Sequence, residues 1–551
     1  MHKSCANCGS SFEITDADLA FIEKISPMFS GKTFHIPAPH HCPPCREQYR
    51  MSHRNERNLY HRKCDLTGKQ IISMHSPEEP FLVYEQGAWW SDQYDPLAYG
   101  REFDFSRPFF EQFKELELAV PKLALINAKS ENSTYTNYSA ENRNLYMVVG
   151  GLGAEDCYYS YRVFYSKDIC DCYDIYKCER CYECSESGNL YNCIFCTNCF
   201  NSFDLVLCKD CIGCKNCFGC VNLRNKQFYI YNQPFSEENY RSKVTELKKN
   251  LKLVKPDIEK LHATVPHRFA QQVQCENITG DQLWQCKDCT NCYTLKNSRD
   301  CAYTRIGENG KDCTDCNFCD NCELQYLSCN NEKNYNIMFS SLIWYCKYVL
   351  YSMNCFNSQY LFGCTGMKKH EYCIFNKQYS KKEYDDLAAK IIAHMQSTGE
   401  WGEFFPPHIS AFGYNETVAN DYIPLTEQEI HVKGWKWRQM QSEKEYLGPP
   451  IKIPDSIEEV EDAICEQILL CEGTGKPFKI IPQELNFYRT LGLPLPKRCP
   501  DQRHTDRMNR LNPRRLWNRT CAKCGKALQS TYAPERPEII YCESCYLATV
   551  H

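Results

Sequence analysis

The sequence predicts a β-rich, multidomain protein built on two cysteine-laddered β-solenoid units with short capping helices, flanked by duplicated cysteine-pair modules. Three observations predict it. Cysteines at 178, 181 and 184 return at 193, 196 and 199 and again at 208, 211 and 214, so one C-x2-C-x2-C triplet recurs every fifteen residues. Separate C-x2-C pairs stand near both ends. The two ends also align with each other at a shift of 457 residues. A repeat is read first, because each of its units buries an apolar face only against its neighbours.

Residues 1–95 hold Cys5-x2-Cys8-Gly9 and Cys42-x2-Cys45, the second pair opening a helix over Arg46 to His61. Two such pairs suit one tetrahedral all-thiolate site, with Cys5, Cys8, Cys42 and Cys45 as ligands of a structural zinc in an arrangement that resembles a treble-clef finger. Zinc contributes on the order of 10 kcal/mol to folding in small modules, so this end should unfold without it. In residues 461–551, Cys521-x2-Cys524-Gly525 and Cys542-x2-Cys545 form a second four-thiolate set, of zinc-ribbon type. The expected cofactor is Zn2+, about two per chain.

The 457-residue shift lays Cys42 on Cys499, Arg46 on Arg503, Arg50 on Arg507, Cys64 on Cys521 and Tyr84 on Tyr541. Each copy then holds one live site and one degenerate site. In the first copy the later site has become Cys64, Thr67, Glu85 and Ala88, and in the second, allowing one gap before Ile36 that makes the shift 466 for the residues preceding it, the earlier site has become Cys471, Thr474, Cys499 and Gln502. Threonine supplies no thiolate, so neither tetrahedron closes. The same alignment disposes of Glu472-Gly473-Thr474-Gly475-Lys476 as a phosphate loop, because it falls on the knuckle Cys5 to Gly9 and lacks the full spacing.

Residues 96–147 form a connecting segment whose Phe103, Phe105, Phe109, Phe110 and Phe113 read as an aromatic core or cap. Residues 148–262 carry the first solenoid and its capping helix. Every third residue from Val148 to Leu223 is small or apolar, a period matching neither an amphipathic helix nor a simple strand, and fifteen residues are read as one coil. Thiols fill a narrow bore as small hydrophobes.

The ending recurs 144 residues later: Phe218-Gly219-Cys220 as Phe362-Gly363-Cys364, Ile230-Tyr231-Asn232 as Ile374-Phe375-Asn376 and Ser236 as Ser380. Residues 263–398 are therefore a second solenoid with its own cap, starting from a Ser380–Glu383 capping box. Its ladder holds Cys286, Cys301, Cys316 and Cys346 beside Cys289, Cys292, Cys313, Cys319 and Cys322, while Gln325, Asn331 and Asn334 interrupt the pattern. Residues 399–460 are aromatic- and proline-rich without a period. The ladder thiols are read as structural and protonated, with soft-metal binding and disulfides as alternatives.

The helix after Cys45 presents Arg46, Arg50, Arg54 and Arg57 at helical spacing, and its copy presents Arg503, Arg507, Arg510 and Arg514. Two readings stand: a basic face that grips nucleic-acid phosphates, or arginines that pair with the chain's own acids and aromatics. No nucleophile–base constellation, dinucleotide loop or zincin motif occurs, and four-thiolate sites are closed, so no catalytic residue is assigned. The 40 cysteines in a 551-residue chain of formal charge -5, with no long apolar run, point to a reduced, cytoplasmic protein that does not span a membrane.

The chain resembles a group of cysteine-rich zinc-ribbon proteins of candidate-phyla bacteria. The likeness lies in the zinc knuckles, in Cys521-Ala522-Lys523-Cys524-Gly525 with Tyr541-Cys542-Glu543-Ser544-Cys545-Tyr546, and in Asn376-Lys377-Gln378-Tyr379-Ser380. It implies the fold and class and no substrate. The expected function is a non-enzymatic zinc-stabilised scaffold docking on RNA, a ribonucleoprotein or another protein. Soft-metal handling by the ladders, or thiol oxidoreduction, is the alternative.

Overall fold

The computed structural model describes residues 1–308, 310–320, 322–439 and 451–550, with backbone alone at Lys252 and at 318–320. The ladder position Cys319 and the 440–450 part of the irregular segment lie outside the described side chains and residues respectively.

The middle of the chain is governed by a three-residue backbone unit. An inward residue is followed by an outward one and then by a residue at φ near +50°, as at Asp168, Asp171, Asp174, Lys177 and Arg180. Asn and Asp tolerate this left-handed region best and recur there, as at Asn189, Asn192, Asn198, Asn201 and Asp204. Each such corner turns the chain, and after four of them it lies beside itself. Pairing is parallel at a step of twelve: Cys157↔Ile169, Ile169↔Cys181, Leu190↔Ser202 and Leu205↔Cys217. The expected fifteen-residue coil is therefore corrected to twelve. Spacings in multiples of three fix which residues point inward, and they are blind to how many units close a turn.

The hydrogen-bond arithmetic explains why the inward residue is so often Cys, Ser or Asn. Two of every three backbone N–H groups bond to neighbouring turns, as Tyr161 N–H to Cys172 O (2.9 Å) and Asp171 N–H to Tyr158 O (3.1 Å). The third, on the inward residue, points into the bore and needs an acceptor there. The side chain twelve residues earlier supplies it: Cys172 N–H donates to Ser160 Oγ (3.0 Å), Cys184 N–H to Cys172 Sγ (3.3 Å) and Cys346 N–H to Asn334 Oδ1 (2.8 Å). Thiol and hydroxyl also donate back to their own turn, Cys184 to Tyr182 O (3.5 Å) and Ser187 to Ser185 O (2.7 Å). Asn331 and Asn334, expected to weaken the ladder, are thus buried members of it.

The first stack starts earlier than the expected 148, at Asn127↔Ser139, and runs to Ile230. The second runs from Gln272 to Ile374. Both end alike: the Asn232 amide accepts from Val221 N–H and donates to Val221 O, and Asn376 does the same to Thr365. Helices Glu237–Lys249 and Leu251–Thr264 follow the first ending, and Lys381–Thr398, with the expected capping box from Ser380 and Glu383, follows the second. Tyr240 and Val244 pack on the rungs Val206, Phe218 and Ile230, while Tyr384 and Ile391 join a core with Phe362 and Ile374. That core also takes Phe109 and Phe113 of the helix Phe109–Ala119, with Trp401 and Phe405 from the irregular segment.

The two terminal modules repeat each other's elements. Helix Asp16–Ile25 matches Pro482–Leu491, and hairpin Tyr60–Lys63 with Gln70–Ser73 matches Trp517–Thr520 with Ala527–Ser530. Val83–Tyr84 pairs in parallel with Lys122–Leu123 just before the first stack, and Ile539–Tyr541 pairs with Pro266–Arg268 just before the second. Among the described residues no helix is long and apolar enough to cross a membrane.

Candidate metal centres

All four knuckles of the two modules share one turn. Cys5 N–H donates to Ser10 O and Gly9 N–H to Cys5 O, both at 2.9 Å, and Cys521 with Lys526 and Gly525 repeats these bonds. So do Cys64 with Lys69 and Gly68, and Cys471 with Lys476 and Gly475. Each turn needs a left-handed glycine, and φ is +72° at Gly9, +73° at Gly68, +70° at Gly475 and +73° at Gly525. A further bond docks each knuckle on its second segment: Ala6 N–H to His40 O, Asp65 to Val83, Glu472 to Lys497 and Ala522 to Ile540. In every case a helix opens just after, at Pro43, Gln86, Pro500 and Glu543.

Only two of the four carry a complete ligand set among the described residues. Cys5, Cys8, Cys42 and Cys45 bring their sulfurs within 4.8 Å of one another, as do Cys521, Cys524, Cys542 and Cys545. Either group could hold a metal ion. Cys8 and Cys42 sulfurs lie 3.7 Å apart, and those of Cys524 and Cys542 3.6 Å apart. The surroundings split each group: Cys45 raises the Cys42 thiol far above the ordinary range and Cys542 raises Cys545 to about 12, while other members are lowered. A hydrogen bond from the Ser10 side chain holds Cys8 at about 6, and Ser544 likewise lowers Cys542. Burial raises the Cys521 thiol, but backbone N–H groups of Cys542 and Cys524 overcome it and hold it at about 6.

In the two incomplete knuckles hydrogen bonds stand where the missing ligands would. Cys64 Sγ accepts from Thr67 N–H (3.4 Å) and Glu85 N–H (3.3 Å), and Thr67 Oγ1 donates to Glu85 (3.0 Å). Thr474 Oγ1 lies 3.9 Å from Cys499 Sγ. The Glu472–Lys476 stretch is the third of these knuckles, not a phosphate loop.

The stack thiols form no such group among the described residues, and no disulfide joins cysteines whose side chains are described. Burial pushes Cys157, Cys170, Cys292 and Cys355 far above the ordinary thiol range and Cys346 and Cys364 up to about 12. Other ladder thiols go the opposite way: against the raising effect of burial, neighbouring thiols lower Cys193 and hold Cys199 at about 6, and hydrogen bonds from Cys289 and Cys313 hold Cys301 at about 6.

The arginines expected as a phosphate-gripping face are occupied inside the chain. Arg46 donates to Asp315 and to His41 O (2.8 Å), and Arg50 to Asn317 (3.0 Å) with Asp315 at 3.7 Å. Arg54 pairs with Glu56 and lies 3.8 Å over the Tyr138 ring, and Arg57 pairs with Asp501 at 3.1 Å. Arg503 donates to Asp171 (2.6 Å), Glu484 (3.0 Å) and Tyr488 (2.8 Å), and Arg507 to Asp171 (2.6 Å) and Tyr159 O (3.0 Å). Arg510 pairs with Glu183, and Arg514 donates to Tyr422 (3.0 Å). Arg46, Arg50, Arg54, Arg503 and Arg507 are buried. For Arg46, Arg50, Arg503, Arg507 and Arg510 the physical reason is that helices Pro43–Met51 and Pro500–Arg510 lie with their arginine faces on a stack wall, where an acid at a left-handed corner meets them, whereas Arg54, Arg57 and Arg514 follow the helix ends. Asp171 and Asp315 were missed in the sequence, although they are themselves 144 residues apart, as are the tyrosines beneath the arginines, Tyr159 (4.8 Å from Arg503) and Tyr303 (5.6 Å from Arg46).

No family model matches the chain, and no curated protein does. Among solved structures it is similar to a "putative acetyltransferase" from Desulfovibrio desulfuricans G20, at 9% identity over 46% of this chain and 62% of that one, with a TM-score of 0.09. A likeness of that size carries no argument.

Proposed function

We propose that the protein is a non-catalytic, zinc-stabilised scaffold. In this reading two β-solenoids of twelve-residue coils are braced by duplicated modules of treble-clef and zinc-ribbon type, each retaining one zinc of an ancestral pair. The observation that carries it is the closure of both four-sulfur groups. A tetrahedral ion with bonds of about 2.3 Å to sulfur spaces its ligands about 3.8 Å apart, close to the separations seen, and leaves no position for a substrate. The stacks support it from the other side, since their thiols already serve as hydrogen-bonded core.

With the arginines turned inward, support for a nucleic-acid partner weakens, and the favoured partner is another protein. The outer walls offer single exposed aromatics such as Tyr165, Tyr191, Phe203 and Tyr345, suited to a protein contact of modest size.

Elemental analysis of protein purified under reducing conditions tests the reading. The expected result is two zincs per chain, falling to one in Cys8→Ser and one in Cys524→Ser. Four zincs would refute the degenerate sites, and many soft metals per chain would favour metal handling by the ladders.

A further inference from the structure

Helix Pro482–Leu491 and the wall of the first stack enclose a cleft of about 450 Å3, lined by Asp156, Tyr158, Asp168 and Arg180 on the stack and by Phe487 and Thr490 on the helix. Asp156, Asp168 and Arg180 stand twelve residues apart, on successive rungs about 4.8 Å from one another. Asp156 accepts from Asn144 (2.9 Å), whereas Asp168 makes no ion pair or hydrogen bond among the described residues. The Arg180 Nε is buried without a partner, and its guanidinium only approaches the Tyr191 ring, at 6.0 Å. Burial, then the neighbouring Asp156, raises the Asp168 carboxyl, with Lys167 and Arg180 opposing from a distance and neither bonded to it.

The other half of the molecule shows what belongs there. Shifted by 144 residues, Asp168 becomes Asp312, and in the module alignment Thr490 stands where the first copy has Lys24. Lys24 pairs with Asp312, so that copy fills the space with its own ammonium. In the cleft, threonine is too short and uncharged, and the equivalent acid is left facing open volume.

We propose that this cleft binds a free amino acid with an apolar side chain. Its ammonium would take the place of the Lys24 charge against Asp168 and Asp156. Arg180, one rung on, would receive the carboxylate, so that charges of both signs on one α-carbon meet charges of both signs on the wall. Tyr158 and Phe487, both buried at the cleft, offer the apolar body a surface. This ligand is independent of the metal centres and of the scaffold reading.

Isothermal titration calorimetry on the full chain as purified tests it with three probes of one carbon skeleton: norleucine, pentylamine, which lacks the carboxylate, and hexanoate, which lacks the amine. Saturable binding of norleucine is expected, about tenfold weaker binding of pentylamine, and none of hexanoate. Asp168→Asn should lose binding. Thr490→Lys should lose it as well, by rebuilding the Lys24–Asp312 pair inside the cleft, and it keeps the test open if the asparagine variant misfolds. No saturable norleucine binding to the parent chain, or equal binding to Thr490→Lys, would overturn the proposal. Pentylamine binding as tightly as norleucine would overturn the amino-acid assignment.

Discussion

Arg503 donates to Asp171 at 2.6 Å with both side chains buried. Asp171 also receives Arg507 at 2.6 Å, and the mirror set is Arg46 and Arg50 around Asp315. The N-terminal module thus pairs its last strand with the entry to the first stack and presses its arginines on the second, while the C-terminal module does the reverse. Each module ties both stacks together. Removing Asp315 leaves the buried Arg46 and Arg50 without a carboxylate, so Asp315→Ala should cost about 3–5 kcal/mol, and Asp171→Ala should cost less because Glu484 (3.0 Å from Arg503) and Glu183 (3.4 Å from Arg507) remain. Urea unfolding measures this, and parent-like midpoints would show that the clamps carry no weight. Reversing charge at Arg507 should likewise unfold the protein and not merely change what it binds.

The bore makes a chemical prediction about cysteine. Cys172 Sγ accepts Cys184 N–H and donates to Cys170 O, as Ser160 does one rung earlier. Cys172→Ser keeps both roles, whereas Cys172→Ala leaves a buried N–H without an acceptor, at about 1–3 kcal/mol. Thermal denaturation should therefore rank alanine below serine. The opposite order would mean that the thiols act only by filling space.

Metal capacity should be recoverable. The knuckle at Cys471 keeps its turn, its docking bond to Lys497 and its following helix, and lacks only two sulfurs. Thr474→Cys with Gln502→Cys completes the set with Cys471 and Cys499. Native mass spectrometry of this variant should show one more metal than the parent chain, and an unchanged count would argue against a lost site.

His75 supplies a pH dependence. It is buried, stacked on Phe412 at 5.1 Å, and its Nδ1 has no partner among the described residues. Burial, then repulsion by Lys122 and Arg62, holds it well below the usual 6.5. Its folded value is depressed, so the unfolded chain takes the proton first as pH falls. Its contribution is complete above about pH 6.5 and declines below that by roughly 1.4 kcal/mol per pH unit. His75→Phe should flatten the stability profile between about pH 6.5 and 5.5, a range checked by denaturant titration at each pH. An unchanged slope would contradict the assignment.

The two four-cysteine groups, the likeness of the two ends and the three-residue phase of the inward side chains were legible in the sequence because each rests on residue identity at fixed spacing. The twelve-residue turn was not, since triplets fifteen apart drew the eye away from a step that shows elsewhere: Tyr348, Tyr360 and Tyr372 stack at 4.9 and 4.7 Å, and Ser160, Cys172, Cys184, Cys196, Cys208 and Cys220 form one inward series. The fate of the arginines was hidden for another reason. A basic helix face looks alike whether it meets phosphate or a buried carboxylate, and Asp171 and Asp315 are single acids on a wall that has many. Reading the 457- and 144-residue shifts together would have brought the two pairs into register.

In the proposed scaffold, metal holds the ends while hydrogen bonds alone hold the stacks. Hydrogen exchange by mass spectrometry, before and after chelation under reducing conditions, tests it most directly. Chelation should abolish protection around Cys5–Met51 and Trp517–Val550 and weaken the rungs at Asp171 and Asp315, with the inner rungs from Cys184 to Cys217 still protected. Loss of protection throughout those inner rungs would place metal in the ladders and contradict the claim.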